Sequence, residues 1–182
     1  MAGQRAPGDL VLVQDFVNTH DWEEARDDID TPEALATWLV DHGLAPSAGA
    51  GAAEHHLAIE LREALHRLVA ANSGGHVADR DIAVLNRVAG DSGLRPVFTT
   101  RDGVGLEPLV AGVTGALGRL VGLVSAAMAD GTWARLKACA DHSCQWVFYD
   151  RSRNHSGHWC SMEVCGNRAK ARQFRQRRRA GS

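Results

Sequence analysis

Apolar residues recur at helical spacing along most of the chain before Trp133, which predicts a mainly α-helical body. Leu10, Val13, Phe16 and Val17 set a first helix over residues 10–19. A second helix opens at Thr31, a good N-cap followed by Pro32 at the first helical position, and closes at Gly43. Leu35, Trp38, Leu39 and His42 form its inner face, and residues 43–53, rich in Gly and Ala, read as a loop. Leu57, Leu61, Leu65 and Leu68 mark a longer helix over about residues 53–71. Its histidines His55, His56 and His66 have no carboxylate or cysteine to complete a metal set, so they read as surface or satisfied core residues. Asp79, as N-cap, opens a further helix presenting Ile82, Leu85 and Val88. After a break at residues 90–93 the period changes. The run PVFTTRDGVGLEP alternates and turns at Asp102-Gly103, which predicts a two-stranded ribbon lying on the helices.

Residues 109–129 form 21 positions with a single charge, long enough to span a bilayer. Arg119 sits in the middle, Thr114 is polar and basic flanks are missing, so the segment is expected to be a buried central helix, with no membrane as partner. Gly112, Gly115, Gly118 and Gly122 make a small-residue stripe on it. Each glycine inside a helix costs about 1 kcal/mol against alanine, so the stripe implies close backbone approach. A neighbouring helix is the first reading, and a homodimer partner or a ligand the others. Thr132 is expected to cap a short helix over residues 133–138 that runs into Cys139 without a flexible linker.

At 182 residues the chain can bury a real core, and one domain plus an appendage is the natural organisation: a helical body over 1–136 and a small C-terminal module over 137–182. The net charge of −2 is unevenly spread, with −9 before Lys137 and +7 from Lys137 onward. An acidic body with a basic end suggests a tail that meets an acidic partner.

All four cysteines lie in the module as two pairs, Cys139/Cys144 and Cys160/Cys165, each with four residues between. Two short-spaced pairs suit one tetrahedral Zn²⁺ ion, and four thiolates leave no open position, so such a site is structural. Two disulfides are the alternative, but the N-terminus lacks a signal-peptide pattern, which points to a reducing, cytoplasmic setting. His142, His155 and His158 lie within the segment and read as loop residues while four thiols are available.

The run from Asn167 to Arg179 carries Arg168, Lys170, Arg172, Arg175, Arg177, Arg178 and Arg179 and no acid. In a helix, Arg168, Arg172, Arg175 and Arg179 fall on one stripe. Guanidinium groups suit bidentate phosphate contacts and guanine edges, which points to nucleic acid, with Asn167 and Arg168 as candidates for base edges and Arg172, Arg175 and the terminal arginines for phosphates; a solvated basic tail is the plainer reading. Arg151 and Arg153, between the cysteine pairs, are further candidates for phosphate contact. Trp146, Phe148 and Trp159 are expected to form a miniature core, with base stacking as the alternative.

The string WVFYDRSRN followed by HWCSMEVCGNRAKAR resembles the CGNR zinc finger, whose name stands here as Cys165-Gly166-Asn167-Arg168. DFVNTHDW (Asp15 to Trp22) and the helix ending in WLVDHGL resemble the ABATE domain, which is found upstream of that finger. The resemblance implies one structural zinc on Cys139, Cys144, Cys160 and Cys165, DNA as partner, and a stress-linked bacterial transcription regulator.

In the body, Asp15, Asn18, Thr19 and Trp22 cluster at the end of the first helix. They could line a small-molecule pocket for an effector, or serve as caps and turn hydrogen bonds. No GxSxG elbow, Walker loop or GxGxxG motif is present, so an enzyme is not expected. The expected function is a zinc-dependent DNA-binding regulator whose body senses a ligand or dimerises. An RNA-binding knuckle and a module docking an acidic protein are the alternatives.

Overall fold

Helix α1 (Leu10–Val17), α2 (Pro32–Asp41), α3 (Ala52–Ala71) and α4 (Asp79–Ser92) surround α5 (Gly112–Asp130), whose Val113, Ala116, Leu117, Leu120, Val121 and Val124 are buried. The computed structural model describes residues 4–45, 49–100 and 103–180. The chain is mainly α-helical, with three two-stranded antiparallel ribbons among the described residues. By length and composition α5 could cross a membrane, yet 56% of its apolar window is buried inside the protein.

Local signals set most helix ends. The Thr31 hydroxyl accepts from the Ala34 N–H at 3.1 Å with Pro32 first in the helix, and Gly43 stands at φ +65° just past its end. Helix α4 departs from the sequence reading at three points. Asp79 lies inside the helix and Ala78 is the N-cap; the helix passes Gly90 and ends at left-handed Gly93; and Ile82 is exposed. Its inner face is Asp81, Leu85, Val88 and Ser92, all buried, and Ile82 stands one position off that row. The face is fixed by Asp81, which reaches Arg67 of α3 at 2.8 Å.

The predicted hairpin is present as β3 (Arg95–Thr99) and β4 (Gly103–Glu107), in register from Arg95↔Glu107 to Thr99↔Gly103. The Asp102 half of its turn, like Pro46 to Ala48 of the predicted loop, lies outside the described residues. The ribbon rests on α5 through Leu106 and leaves Phe98 82% exposed. Close backbone approach accounts for three of the four stripe glycines, whereas Gly112 stands at φ +73° with nothing within 4 Å of a Cβ. A Cβ at Gly115 would meet the Val110 carbonyl oxygen at 2.1 Å, one at Gly118 the Ser92 hydroxyl at 2.4 Å, and one at Gly122 the Leu106 carbonyl oxygen at 3.0 Å. The close neighbours are the end of α4, the ribbon and the segment leading into α5, rather than a helix packed along the whole stripe.

Residues 133–138 are helical only as far as Arg135. A 3₁₀ turn (Thr132–Arg135) leads into strand β5 (Leu136–Ala138), which pairs with β6 (Val147–Tyr149). Thr132 does not cap; its N–H and hydroxyl both donate to Asp130. The partner strand lies beyond the first cysteine pair, so nothing local announces the pairing. Side chains alternate across this ribbon. Leu136, Val147 and Tyr149 enter the main body core, while Phe148 packs with the four cysteines. A shorter pair, His20–Asp21 with Arg26–Asp27, brings Asp27 to buried Arg62.

Candidate metal centre and nucleic-acid surface

Each cysteine pair closes a knuckle for a local reason. In the first, Asp141 accepts from the Ser143 N–H at 3.3 Å and its hydroxyl at 2.9 Å, while Cys144 N–H donates to the Asp141 carbonyl at 2.8 Å. In the second, Ser161 caps a wide π-type turn (Met162–Gly166) by accepting from the Val164 N–H. That turn contains Cys165 and runs on into α6 (Asn167–Ala180). The Ala140 N–H donates to the His158 carbonyl at 2.9 Å and joins the two knuckles.

The four sulfur atoms lie within 4.8 Å of one another, with Cys144–Cys160 at 3.6 Å and Cys160–Cys165 at 3.7 Å. A tetrahedron with metal–sulfur bonds of about 2.3 Å has edges of about 3.8 Å, so the set fits zinc. All four are buried and unbridged, and they gather as one set of four around a common centre, as a single metal ion needs, rather than as two bonded pairs. Four thiols this close cannot all ionise by themselves. Hydrogen bonds from Cys144 and Cys160 hold Cys139 far below the ordinary thiol range, and the same bonds push Cys144 and Cys160 up. Cys165 is raised, first by burial. A divalent cation relieves that crowding. Among the described residues these cysteines alone form such a group, so His142, His155 and His158 stay outside it. The chain carries one structural zinc, on Cys139, Cys144, Cys160 and Cys165.

Phe148 is buried against the cluster, and Trp146 and Trp159 pack on it partly buried, as a miniature core requires. Asp150 organises the loop between the pairs: it accepts from Ser152 and Gly157 N–H groups and lies 3.4 Å from Lys137. Burial would raise its pKa, but these partners overcome that and hold it at about 2. The loop leaves Arg151 and Arg153 exposed, although Arg151 also donates to the Arg5 carbonyl at 2.9 Å.

Helix α6 presents its basic residues unequally. Arg168 is ion-paired to Glu23 of the body, and Arg172 reaches Asp141 of the first knuckle at 3.2 Å. Lys170, Arg175 and Arg177 are exposed, and no bond to another described residue involves them. Arg178 lies 5.9 Å over the Phe174 ring, and Arg179 belongs to the same helix. Asn167 donates back to the Glu163 carbonyl at 2.9 Å.

The body residues singled out at the end of α1 are spent on the fold. Asp15 pairs with Arg5 at 2.7 Å, and the Thr19 hydroxyl donates to the Phe16 carbonyl at 2.8 Å. Trp22 stacks on His20 at 4.2 Å between ring centres. Asn18 reaches across to β6 and bonds Val147. Sequence reading missed Glu23 and Asp141, the acids that occupy two of the arginines. The spacing Asp141-x-Ser143 inside the first pair is a legible turn signal, whereas nothing in the sequence links Glu23 to Arg168.

Residues 135–178 match the CGNR zinc finger, and residues 10–137 match ABATE, described as "Putative stress-induced transcription regulator". A comparison with curated proteins gives no match.

Proposed function

We propose that this chain, which belongs to the ABATE family and ends in a CGNR zinc finger, is a zinc-dependent DNA-binding transcription regulator of the cytoplasm. The observation that carries the reading is continuity. Cys165 sits in a helical turn that runs without a break into α6, so the metal fixes the direction of a helix whose Lys170, Arg175 and Arg177 pair with no other described residue. A tethered but unoriented tail would add charge only; a helix aimed from a metal site can hold a register on phosphates.

The body's part in this reading is to sense a ligand or to dimerise; of Asp15, Asn18, Thr19 and Trp22, weighed for an effector pocket, Asn18 bonds Val147 of the finger. The support is mechanical. Leu136, Val147 and Tyr149 belong to the body core while Phe148 of the same ribbon belongs to the metal core, so a shift in one tilts the other. The chemistry is binding rather than catalysis, because the ligand set leaves no open metal position.

The test is binding of the zinc-loaded and chelator-treated chain to random-sequence duplex DNA across a salt series. Each phosphate contact adds about −0.9 to the log–log slope. Steep binding that disappears with the metal supports the reading. Binding to single-stranded RNA in preference to duplex would favour the knuckle alternative, and no binding to either would favour an acidic protein partner.

A further inference from the structure

Beside α6 the finger carries an open groove of about 520 Å³, whose lining includes neither Arg168 nor Glu23. One wall is α6 itself, with Lys170, Gln173 and Gln176; the other is formed by His142 of the first knuckle and by Trp159, and Arg172 closes the side near Asp141. No carboxylate lines it. The nearest acid, Asp141, is buried and committed to Ser143 and Arg172.

The two rows of α6 differ in what remains available. Arg168 and Arg172 are occupied by acids of this chain, whereas Lys170, Gln173 and Gln176 are exposed and bond no other described residue. Gln173 and Gln176 are three apart, so both amides project from the same side of the helix. An amide matches the N6/N7 pair of adenine with two hydrogen bonds, and a major groove admits one α-helix. Trp159 is packed on the cysteine cluster and no other Trp, Tyr or Phe lines the groove, so an unpaired base would find no aromatic sandwich here.

We propose that the glutamine-bearing side of this groove, and not the acid-paired Arg168 and Arg172, reads the sequence of duplex DNA: Gln173 and Gln176 contact base edges, while Lys170 and His142 hold flanking phosphates. The assignment rests on the DNA-binding reading above and names the residues that confer its specificity.

The experiment is selection from a randomised duplex pool with the zinc-loaded full chain, repeated with Gln173→Ala/Gln176→Ala and with Lys170→Ala. All three positions are exposed and alanine favours helix, so the fold is retained. The unchanged chain is expected to enrich a motif. The double variant keeps its affinity for the unselected pool but loses preference at the contacted base pairs, by about tenfold each. Lys170→Ala weakens binding to every sequence alike, reduces the salt slope by about 0.9 and leaves the motif intact. Enrichment of the same motif by the double variant would overturn the assignment. So would binding to the pool without any enrichment, although DNA binding itself would then stand. Failure of the unchanged chain to bind the duplex pool would overturn both readings.

Discussion

Asn18 holds both backbone groups of Val147: its Oδ1 accepts from the Val147 N–H, and its Nδ2 donates to the Val147 carbonyl, each at 2.8 Å. A side-chain amide thus stands where a third strand would be, and the outer edge of β6 is closed by the body. Gln14 adds a bond to the same carbonyl at 3.1 Å, and the Tyr149 N–H donates to the Gln4 carbonyl at 2.9 Å. His66 of α3 donates to the Gln145 carbonyl at 3.0 Å nearby. The finger is bonded to the body along this edge.

Asn18→Ala leaves the buried Val147 N–H without its side-chain acceptor, a loss of about 1–3 kcal/mol. Asn18→Asp is expected to be worse at neutral pH, since a carboxylate would then face the Val147 carbonyl. That carboxyl should titrate above its unfolded value, so the variant should gain stability as pH falls from 7. Urea midpoints at two pH values read this directly; equal stability of the Asp variant and the parent at neutral pH would contradict the account.

Chelation should lower the stability of the body as well as unfold the finger, because the β5–β6 ribbon serves both cores. The thermal midpoint is expected to fall by several degrees, about 4 °C or more. A body transition unmoved by chelator would show two independent folding units.

Glu23→Gln frees Arg168, which is otherwise paired to the body. Affinity for random duplex should rise, and the salt slope should steepen by up to about 0.9, one added phosphate contact. An unchanged slope would place Arg168 out of reach of the duplex.

Gly118→Ala puts a methyl group 2.5 Å from the Ser92 Cβ and 2.4 Å from its hydroxyl. The cost is about 1–3 kcal/mol from overpacking. Ser92→Ala keeps the Cβ and should not relieve it, whereas Ser92→Gly should restore part of the loss. Denaturant unfolding of the double variants separates the two cases.

Asp27 grips the buried guanidinium of Arg62 at 2.6 and 2.8 Å. Burial would raise its pKa, but the Arg62 and Ile29 hydrogen bonds outweigh that and lower it below the ordinary 3.8. A depressed carboxyl stabilises the fold above its unfolded pKa, and that contribution fades as pH drops through and below 3.8. Asp27→Asn should therefore cost about 2 kcal/mol at pH 7, less than a fully buried pair because Asp27 is partly exposed. The gap to the parent should close in acid; a gap independent of pH would rule the pair out as its source.

What the sequence determined by itself was local. The paired cysteines specify the zinc site because each knuckle closes within six residues and thiolate chemistry needs no distant help. Thr31-Pro32 fixes the start of α2, and the alternating run with its Gly103 turn fixes the β3–β4 ribbon, each through backbone preferences of neighbouring residues. The tertiary structure decided the rest. It made residues 136–138 a strand, because their partner, β6, lies beyond the first cysteine pair. It turned Ile82 outward, because Asp81 answers Arg67 from another helix. It also divided the basic helix into occupied and available side chains, through acids as remote as Glu23, 145 positions from Arg168. Charge runs and capping residues are written in the sequence; which acid meets which arginine, and which asparagine meets a distant strand, depends on where the folded chain brings them together.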